Sequence, residues 1–487
     1  MRKSKRLFVR LIPILAALVL AMPAHAADSA LVTAVKKSDQ AAVRQLLQQG
    51  AGVNVPGADG STPLHWAVES DNADITRLLL RAGADVKRAN RYGITPLHLA
   101  AVNGNAGMIR DLLDAGADPN AALPEGETVL MTAARTGSAK SVELLLDRGA
   151  DVDARDRWYG ESALMWAAAQ NHADAVGVLI ARGARVDSRS TLQKLANRRA
   201  GQNILSLGDW TPLMYAAREN ALESGSVLVK AGASLNLVDP DGATALVIAI
   251  INAHYEFASM LVDAGANPDV VDNEAGMGAL YAAADMHRLA VGHGRPNPKP
   301  VGLMSAVELV KKMLARGADP NLRLKKSILQ RHHTAGDSTL AEGATPFLRA
   351  AKSGDIEMMR ALVAGKADAR LTMPNGSNAL HYAAGLGWRN GSPAAPSYDQ
   401  GTDEEAVEAI RFLLEMGFDI HATNDTGDTA LHAAVNGRGS EAIIAFLVAQ
   451  GANPEARNKR GQTPMSLATA KGNDAIINLL SPGVLIR

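Results

Sequence analysis

Few residues in this chain could carry covalent or metal chemistry. The 487 residues include no cysteine, which removes disulfides, thiolate zinc sites, cysteine nucleophiles and c-type haem attachment. Of the twelve histidines, His65, His98, His381 and His432 recur in one short context, T-P-L-H or a variant of it. His287, His293, His332 and His333 fall in irregular stretches without ligand spacing such as H-x-x-x-H, so no metal is expected. The chain contains no G-x-x-x-x-G-K-[ST], no H-E-x-x-H, no G-x-S-x-G and no G-x-G-x-x-G after a strand. No unpaired acid–base constellation stands out, so the expectation is a non-enzyme without a cofactor. What remains is the chemistry of recognition. Aromatic residues make up only 4% of the chain, yet they cluster with arginine at Arg91-Tyr92, Arg157-Trp158-Tyr159 and Asp209-Trp210, the side chains most often found as binding hot spots. Trp66, Trp166, Tyr215 and Tyr382 form a second aromatic set. Two stretches are basic and free of acids: residues 188–207 with Arg189, Lys194, Arg198 and Arg199, and residues 322–333 with Arg323, Lys325, Lys326 and Arg331.

These residues sit on a repeat. Thr62, Thr95, Thr128, Ser162, Thr211, Thr244, Gly278, Thr345, Asn378, Thr429 and Thr463 follow one another at 33, 33, 34, 49, 33, 34, 67, 33, 51 and 34 residues. Gly-Ala-Asp or a near variant keeps phase with them at Gly83, Gly116, Gly149, Gly183, Gly232, Gly265, Gly317 and Gly451. Thr suits a helix N-cap, and Pro at the next position suits N1, where its missing N–H does no harm. Nine residues on comes Gly104, Gly137, Gly354, Gly387 or Gly472, or else Asn171 or Asn220, all tolerant of the left-handed conformation that ends a helix. A second apolar helix follows, as at Leu79-Leu80 and Leu144-Leu145.

A 33-residue period with T-P-L-H resembles the ankyrin repeat over residues 28–482. Residues 28–56 read as the second half of a capping repeat, and the unit at Gly278 has lost Thr, Pro and His. The resemblance implies an all-α fold: an ankyrin-repeat solenoid of about twelve helix-turn-helix units with short hairpin fingers. It also implies that the histidines are scaffold, and that finger tips and inner helices line a groove where a partner protein docks. On that basis the partner-binding residues are Arg91, Tyr92, Arg157, Trp158, Tyr159, Trp166, Trp210 and Tyr215. The basic residues Arg198, Arg199, Lys325, Lys326 and Arg331 join them.

Irregular spacing places four long insertions near 188–207, 287–304, 322–341 and 388–405. The first and third interrupt fingers and are expected to rise beside the groove as two basic flaps, roughly 30 Å apart at about 10 Å per helix pair. The second and fourth are rich in Gly and Pro and are expected as loops at the opposite end of the helices. Insertions that splay apart would leave an open trough for a protein; insertions that converge on polar residues would make a pocket for a smaller ligand.

Residues 1–26 carry Arg2, Lys3, Lys5, Arg6 and Arg10, then an apolar run from Leu11 to Met22, then Ala24-His25-Ala26. This is the layout of a signal peptide cleaved after Ala26. The apolar run is shorter than the roughly 20 residues a spanning helix needs, so no stable membrane insertion is expected once it is removed. The formal charge of zero then becomes mildly acidic over residues 27–487, a poor match to nucleic acid. The expected product is a periplasmic or secreted monomer that binds a partner protein, as accessory subunit, adaptor or inhibitor of an exported enzyme. The alternative is a binder of a non-protein anionic ligand such as a glycan, or a degenerate enzyme, using a pocket formed by the insertions.

Overall fold

A computed structural model describes residues 29–192, 208–288, 299–327, 339–388 and 401–481. The expected signal segment, Arg198, Arg199, Arg331, His293, His332, His333 and the apolar tail Val484-Leu485-Ile486 lie outside the described residues. The chain divides into two compact units after Pro124. The first holds α1 (Ala30–Lys36), α2 (Gln40–Gln48), α3 (Pro63–Glu69), α4 (Ala73–Arg81), α5 (Pro96–Val102) and α6 (Ala106–Asp114). The second opens with α7 (Val129–Thr136), α8 (Ala139–Asp147), α9 (Ala163–Ala169), α10 (Ala173–Ala181), α11 (Pro212–Glu219) and α12 (Leu222–Lys230). It continues with α13 (Ala245–Ile251), α14 (Tyr255–Asp263), α15 (Ala279–His287), α16 (Ala306–Ala315), α17 (Pro346–Lys352) and α18 (Ile356–Ala364). It closes with α19 (Ala379–Ala384), α20 (Asp403–Glu415), α21 (Ala430–Asn436), α22 (Glu441–Ala449), α23 (Pro464–Lys471) and α24 (Asp474–Leu480). Among the described residues there is no β-strand, only isolated bridges such as Val238 with Thr244.

Each odd-numbered helix packs on its even-numbered successor. Within the second unit the odd helices also pack on one another in series, as do the even ones. Two rows result, an inner row of short helices and an outer row, with one apolar seam between them. Val142, Leu145, Val176 and Leu179 are fully buried in that seam. A single pair has too few such residues to fold alone; stacking gives each its core.

The helix starts follow from local chemistry. Thr429 caps α21: its N–H donates to His432 Nδ1 at 3.1 Å and its hydroxyl accepts from the His432 N–H at 3.4 Å. Because Nδ1 accepts, the ring proton is on Nε2, which donates to the Gln462 carbonyl of the next finger at 3.1 Å. His65 does the same between Thr62 and the Ile94 carbonyl, and His381 bridges Asn378, whose Oδ1 lies 2.7 Å from its Nδ1, and the Asp428 carbonyl. These histidines are therefore staples between one helix start and the next finger. Burial holds His65 and His381 below the usual imidazole range.

The turn slot nine residues after the cap is left-handed at Asn171 (φ 60°) and Asn220 (φ 55°), as their type predicts; Ser38, Asp71 and Ala253 adopt it too. Ser38 belongs to a pair the T-P-L-H pattern hides. Ser29 lies 33 residues before Thr62 and caps α1 through the Val32 N–H at 3.2 Å. The first unit therefore begins with a complete helix pair and not with half of one. Ser29-Ala30-Leu31 has neither the proline nor the histidine that marks the others.

Successive fingers are joined through their backbones. The Arg157 N–H donates to the Glu125 carbonyl at 2.8 Å, and the Asn273 N–H to the Asp241 carbonyl at 3.0 Å. This approach explains the finger glycines. Gly126 has φ 87°, and a Cβ there would lie 3.0 Å from the Arg157 nitrogen. At Gly242 (φ 90°) a Cβ would lie 2.5 Å from the Asn273 nitrogen.

Both finger insertions leave and return through a closed neck. Ser190 and Trp210 exchange two hydrogen bonds of 3.0 Å. Leu324 and Ala344 form the second neck: the Leu324 N–H donates to the Ala344 carbonyl at 2.9 Å, and the Gly343 N–H to the Leu324 carbonyl at 2.8 Å. At the fourth insertion, Asp403, Glu404 and Glu405 form the first turn of α20, inside the stretch that spacing assigns to a loop.

Candidate protein-binding face

On the inner helices, the residues four and seven places after the cap lie one helical turn apart and share one face. In the second unit this face carries Thr132 and Arg135 on α7, Trp166 and Ala169 on α9, and Tyr215 and Arg218 on α11. Arg135 lies over the Trp166 ring at 5.2 Å and pairs with Glu127 at 3.3 Å. Trp210, at the return of the first insertion, meets Tyr215 edge-on at 5.6 Å and 66°. Arg218 covers both rings, at 5.0 Å from Trp210 and 5.4 Å from Tyr215. The Tyr215 hydroxyl donates to Glu161 Oε1 at 2.7 Å. Burial, followed by the nearby Glu161 charge, pushes the Tyr215 phenol upward. Burial also raises the Glu161 carboxyl, with the Asp156 charge adding to it. The arrangement is a cation-capped aromatic ladder. Exposed cation–π pairs contribute about 0.5–1 kcal/mol each, and their flat rings lose little side-chain entropy on binding.

Beside this ladder stands the finger of residues 155–161. Asp156 accepts from the N–H groups of Trp158 (2.8 Å), Tyr159 (2.7 Å) and Glu161 (3.1 Å). Arg155 bonds the Gly160 carbonyl at 2.8 Å. The Tyr159 carbonyl accepts from the Thr191 N–H at 2.5 Å. This fixed loop holds Trp158 58% exposed, with Arg157 exposed and Tyr159 half-buried beside it. A rigid, exposed indole is the feature of an interface anchor.

The structure joins Trp210 to Tyr215 directly and places Arg157, Trp158, Tyr159 and Trp166 on the adjoining repeat, with differing roles. Trp166 and Trp210 are half-buried; Tyr215 is only 6% exposed and supports the others. Arg91 and Tyr92 belong to a finger of the first unit, where the Arg91 N–H donates to the Asp59 carbonyl at 3.0 Å and Tyr92 is 62% exposed. Lys325 and Lys326 are exposed at the second neck; Lys325 is tied by its N–H to the Ala275 carbonyl at 2.7 Å, and Lys326 pairs with Glu274. That acid partner lowers the net positive charge of the flap.

One group escaped the sequence reading. On α15 and α17 the same inner-row face carries a buried ion pair, Asp285 with Arg349, and further acid–base contacts lie at the ends of neighbouring helices. Asp285 and Arg349 pair at 2.6 Å, His287 and the almost fully buried Asp355 at 2.6 Å, and Arg288 and Glu405 at 2.5 Å. Lys352, 2% exposed, donates to Thr339 Oγ1 and the Gly387 carbonyl, each at 3.0 Å. A signal was present. Arg349 and Lys352 occupy the positions that hold Tyr and Arg on α11 or Trp and Ala on α9. Among the described residues no cluster of three or more metal-ligating side chains occurs.

Comparison with known proteins returns one family. Its model, "Ankyrin repeats (3 copies)", matches residues 31–122, 97–190, 187–272, 303–390 and 402–486. Similar proteins include protein phosphatase 1 regulatory subunit 27 of Mus musculus, 40% identical over 131 residues, covering 27% of this chain and 73% of that protein. A putative ankyrin repeat protein of Acanthamoeba polyphaga mimivirus is 33% identical over 101 residues, 20% of this chain and 14% of its own. A probable serine/threonine-protein kinase of Dictyostelium discoideum is 33% identical over 78 residues, 16% of this chain and 9% of its own.

Proposed function

We propose, since this chain belongs to the ankyrin-repeat family, that it is a non-catalytic binding module which holds one partner protein on the inner-row face of α7, α9 and α11. The observation that carries this reading is Trp158, 58% exposed on a finger pinned by three N–H bonds to Asp156. A partner side chain packed between Trp158 and the Arg135–Trp166 and Arg218–Trp210 stacks would bury aromatic surface without first ordering it, which lowers the entropic cost of binding. The phosphatase relative bears the name of a regulatory subunit. The same division of labour, a chain without chemistry that acts on an enzyme, fits an accessory subunit, adaptor or inhibitor. The basic n-region and A-x-A site of residues 1–26 support its use outside the cytoplasm, in the periplasm or secreted. The glycan alternative finds less support, because Arg349, Arg288 and Lys326 are already paired with acids of the same chain.

The test compares wild type with Trp158→Ala as bait in the same periplasmic extract, with quantitative mass spectrometry. The expected result is one protein lost from the variant by about 30-fold, the effect of a 2 kcal/mol hot spot, with unchanged thermal unfolding. Identical captured sets for the two baits would remove this face as the binding site. The mass of the secreted chain tests export: a mature N-terminus at Ala27 is expected.

A further inference from the structure

The inner-row face is not open along its whole length. On α9 it is half-exposed at Trp166. On α17 and α19 the corresponding side chains are closed off: Lys352 is 2% and Tyr382 1% exposed. Residues 339–344 cover them. Thr339 receives the Lys352 ammonium on its hydroxyl at 3.0 Å and the Tyr382 hydroxyl on its carbonyl at 2.7 Å. A Cβ on Gly387 would meet the Thr339 side chain. Leu340, 1% exposed, is the apolar plug. Gly343 and Ala344 close the neck with Leu324.

The direction of this segment follows from distances. From Thr345 to Lys352 the helix rises about 10 Å. The six residues contain a turn, closed by the Ala344 N–H on the Ala341 carbonyl at 3.1 Å with Gly343 at φ 87°, and still span that rise, since fully extended they would reach up to about 20 Å. The segment therefore runs back along α17, antiparallel to it, from the turn of α19 to the finger. Residues 328–338 of the same insertion lie outside the described residues. The chemistry of residues 339–344 is that of a docked peptide. A main-chain carbonyl faces a tyrosine hydroxyl, a side-chain oxygen faces an ammonium, and the following leucine is buried.

We propose that residues 339–344 are a built-in occupant of a second peptide-binding stretch on α17 and α19. The stretch takes a turn-forming protein segment with a hydroxyl or carboxamide residue followed by a leucine-sized one, and this chain keeps it filled until such a segment displaces its own. The proposal rests on the reading of the inner-row face as protein-binding, and it concerns a different stretch from the Trp158 site. Because the strap is tethered, its effective concentration is in the millimolar range. A competing segment binds the free face at least tenfold better than the closed one.

The absence of cysteine makes the test direct. Leu340→Cys places a single thiol on the buried side of the strap, and Leu303→Cys, at a position 99% exposed, gives the open reference. With a disulfide-exchange reagent, Cys at 340 is expected to react about 100-fold more slowly than Cys at 303. Adding Tyr382→Phe removes one hydrogen bond and should speed the reaction three- to tenfold, with far-UV circular dichroism unchanged. Equal rates at 340 and 303 overturn the strap. The second arm titrates a fluorescein-labelled peptide of residues 338–344 against wild type and Leu340→Asp, with Leu340→Ala as the released form if the charge lowers helical content. Binding at least tenfold tighter to the released chain is the expected result. Binding that is equal, or absent up to 1 mM, overturns the peptide-binding stretch and leaves the strap as packing only. Neither outcome touches the Trp158 comparison, so failure here and failure of the first reading are separable.

Discussion

Replacing Asp239 by Asn should change how stability depends on pH, by an amount that the structure sets. Asp239 is 6% exposed, and its Oδ1 accepts the N–H groups of Asp241 at 3.0 Å and Ala243 at 2.8 Å. Burial pushes its carboxyl up to about 6; the neighbouring Asp241 charge adds to this, while those N–H bonds and the Trp210 indole restrain it. A raised carboxyl means that the folded chain holds this proton more tightly than the unfolded one. The contribution is fully present below the unfolded value of 3.8 and is lost as pH rises through about 6. Roughly two pH units at about 1.4 kcal/mol each amount to about 3 kcal/mol. Asn keeps the acceptor oxygen, and Asn90, Asn424 and Asn458 already do this work in other fingers. Their amide nitrogens donate to Ser61, Ser377 and Asp428, whereas Trp210 offers an amide no acceptor, which costs about 1–3 kcal/mol at every pH. The measurement is therefore the difference of differences: urea midpoints of wild type and variant by circular dichroism from pH 4 to pH 7.5. The variant should gain about 2 kcal/mol relative to wild type across that range, the remainder falling below pH 4. Parallel curves would refute the placement of a buried, protonatable carboxyl beneath Trp210.

Gly126→Ala and Gly149→Ala separate strain from crowding. Both glycines have φ 87°, but only at 126 would the Cβ meet the next finger, while at 149 nothing lies within 4 Å. Both should lower the melting temperature, Gly126→Ala by about 1–2 kcal/mol more; equal losses would mean the finger spacing is wrong. His381 is held below its ordinary value by burial. Its stabilising capping bond is complete above pH 6.5 and is lost as pH falls through the depressed folded value. His381→Gln should flatten urea midpoints between pH 6.5 and 4.5, and an unchanged slope would contradict the neutral staple. Asp285→Ala should cost about 3 kcal/mol by leaving Arg349 buried without its acid, and Asp285→Leu with Arg349→Leu should recover most of it; a double variant as unstable as the single one would show that the pair is not the main term.

The repeat, its phase and its caps were readable because each depends on residues within one turn or one loop of each other. Thr429 with His432, Pro at N1 and Asn at the turn slot are local chemistry, repeated until chance is excluded. Where the landmarks degrade, legibility falls: α1, capped by Ser29, has neither Pro nor His and was hidden. The aromatic–arginine cluster was visible by composition, but its division of roles was not. Nothing in Tyr215 announces that it is buried against Glu161 while Trp158 projects, because the partner of each lies a repeat or more away.

The order of the chain was enough to establish an all-helical array with insertions at known places, since a short-range code sets every helix start and stop. Which stretch of the inner row is open and which is closed was decided in three dimensions. Thr339 reaches Tyr382 at a sequence separation of 43, and Asp285 neutralises Arg349 at a separation of 64. Such contacts exist only after stacking brings the repeats side by side, so no spacing rule along the chain encodes them.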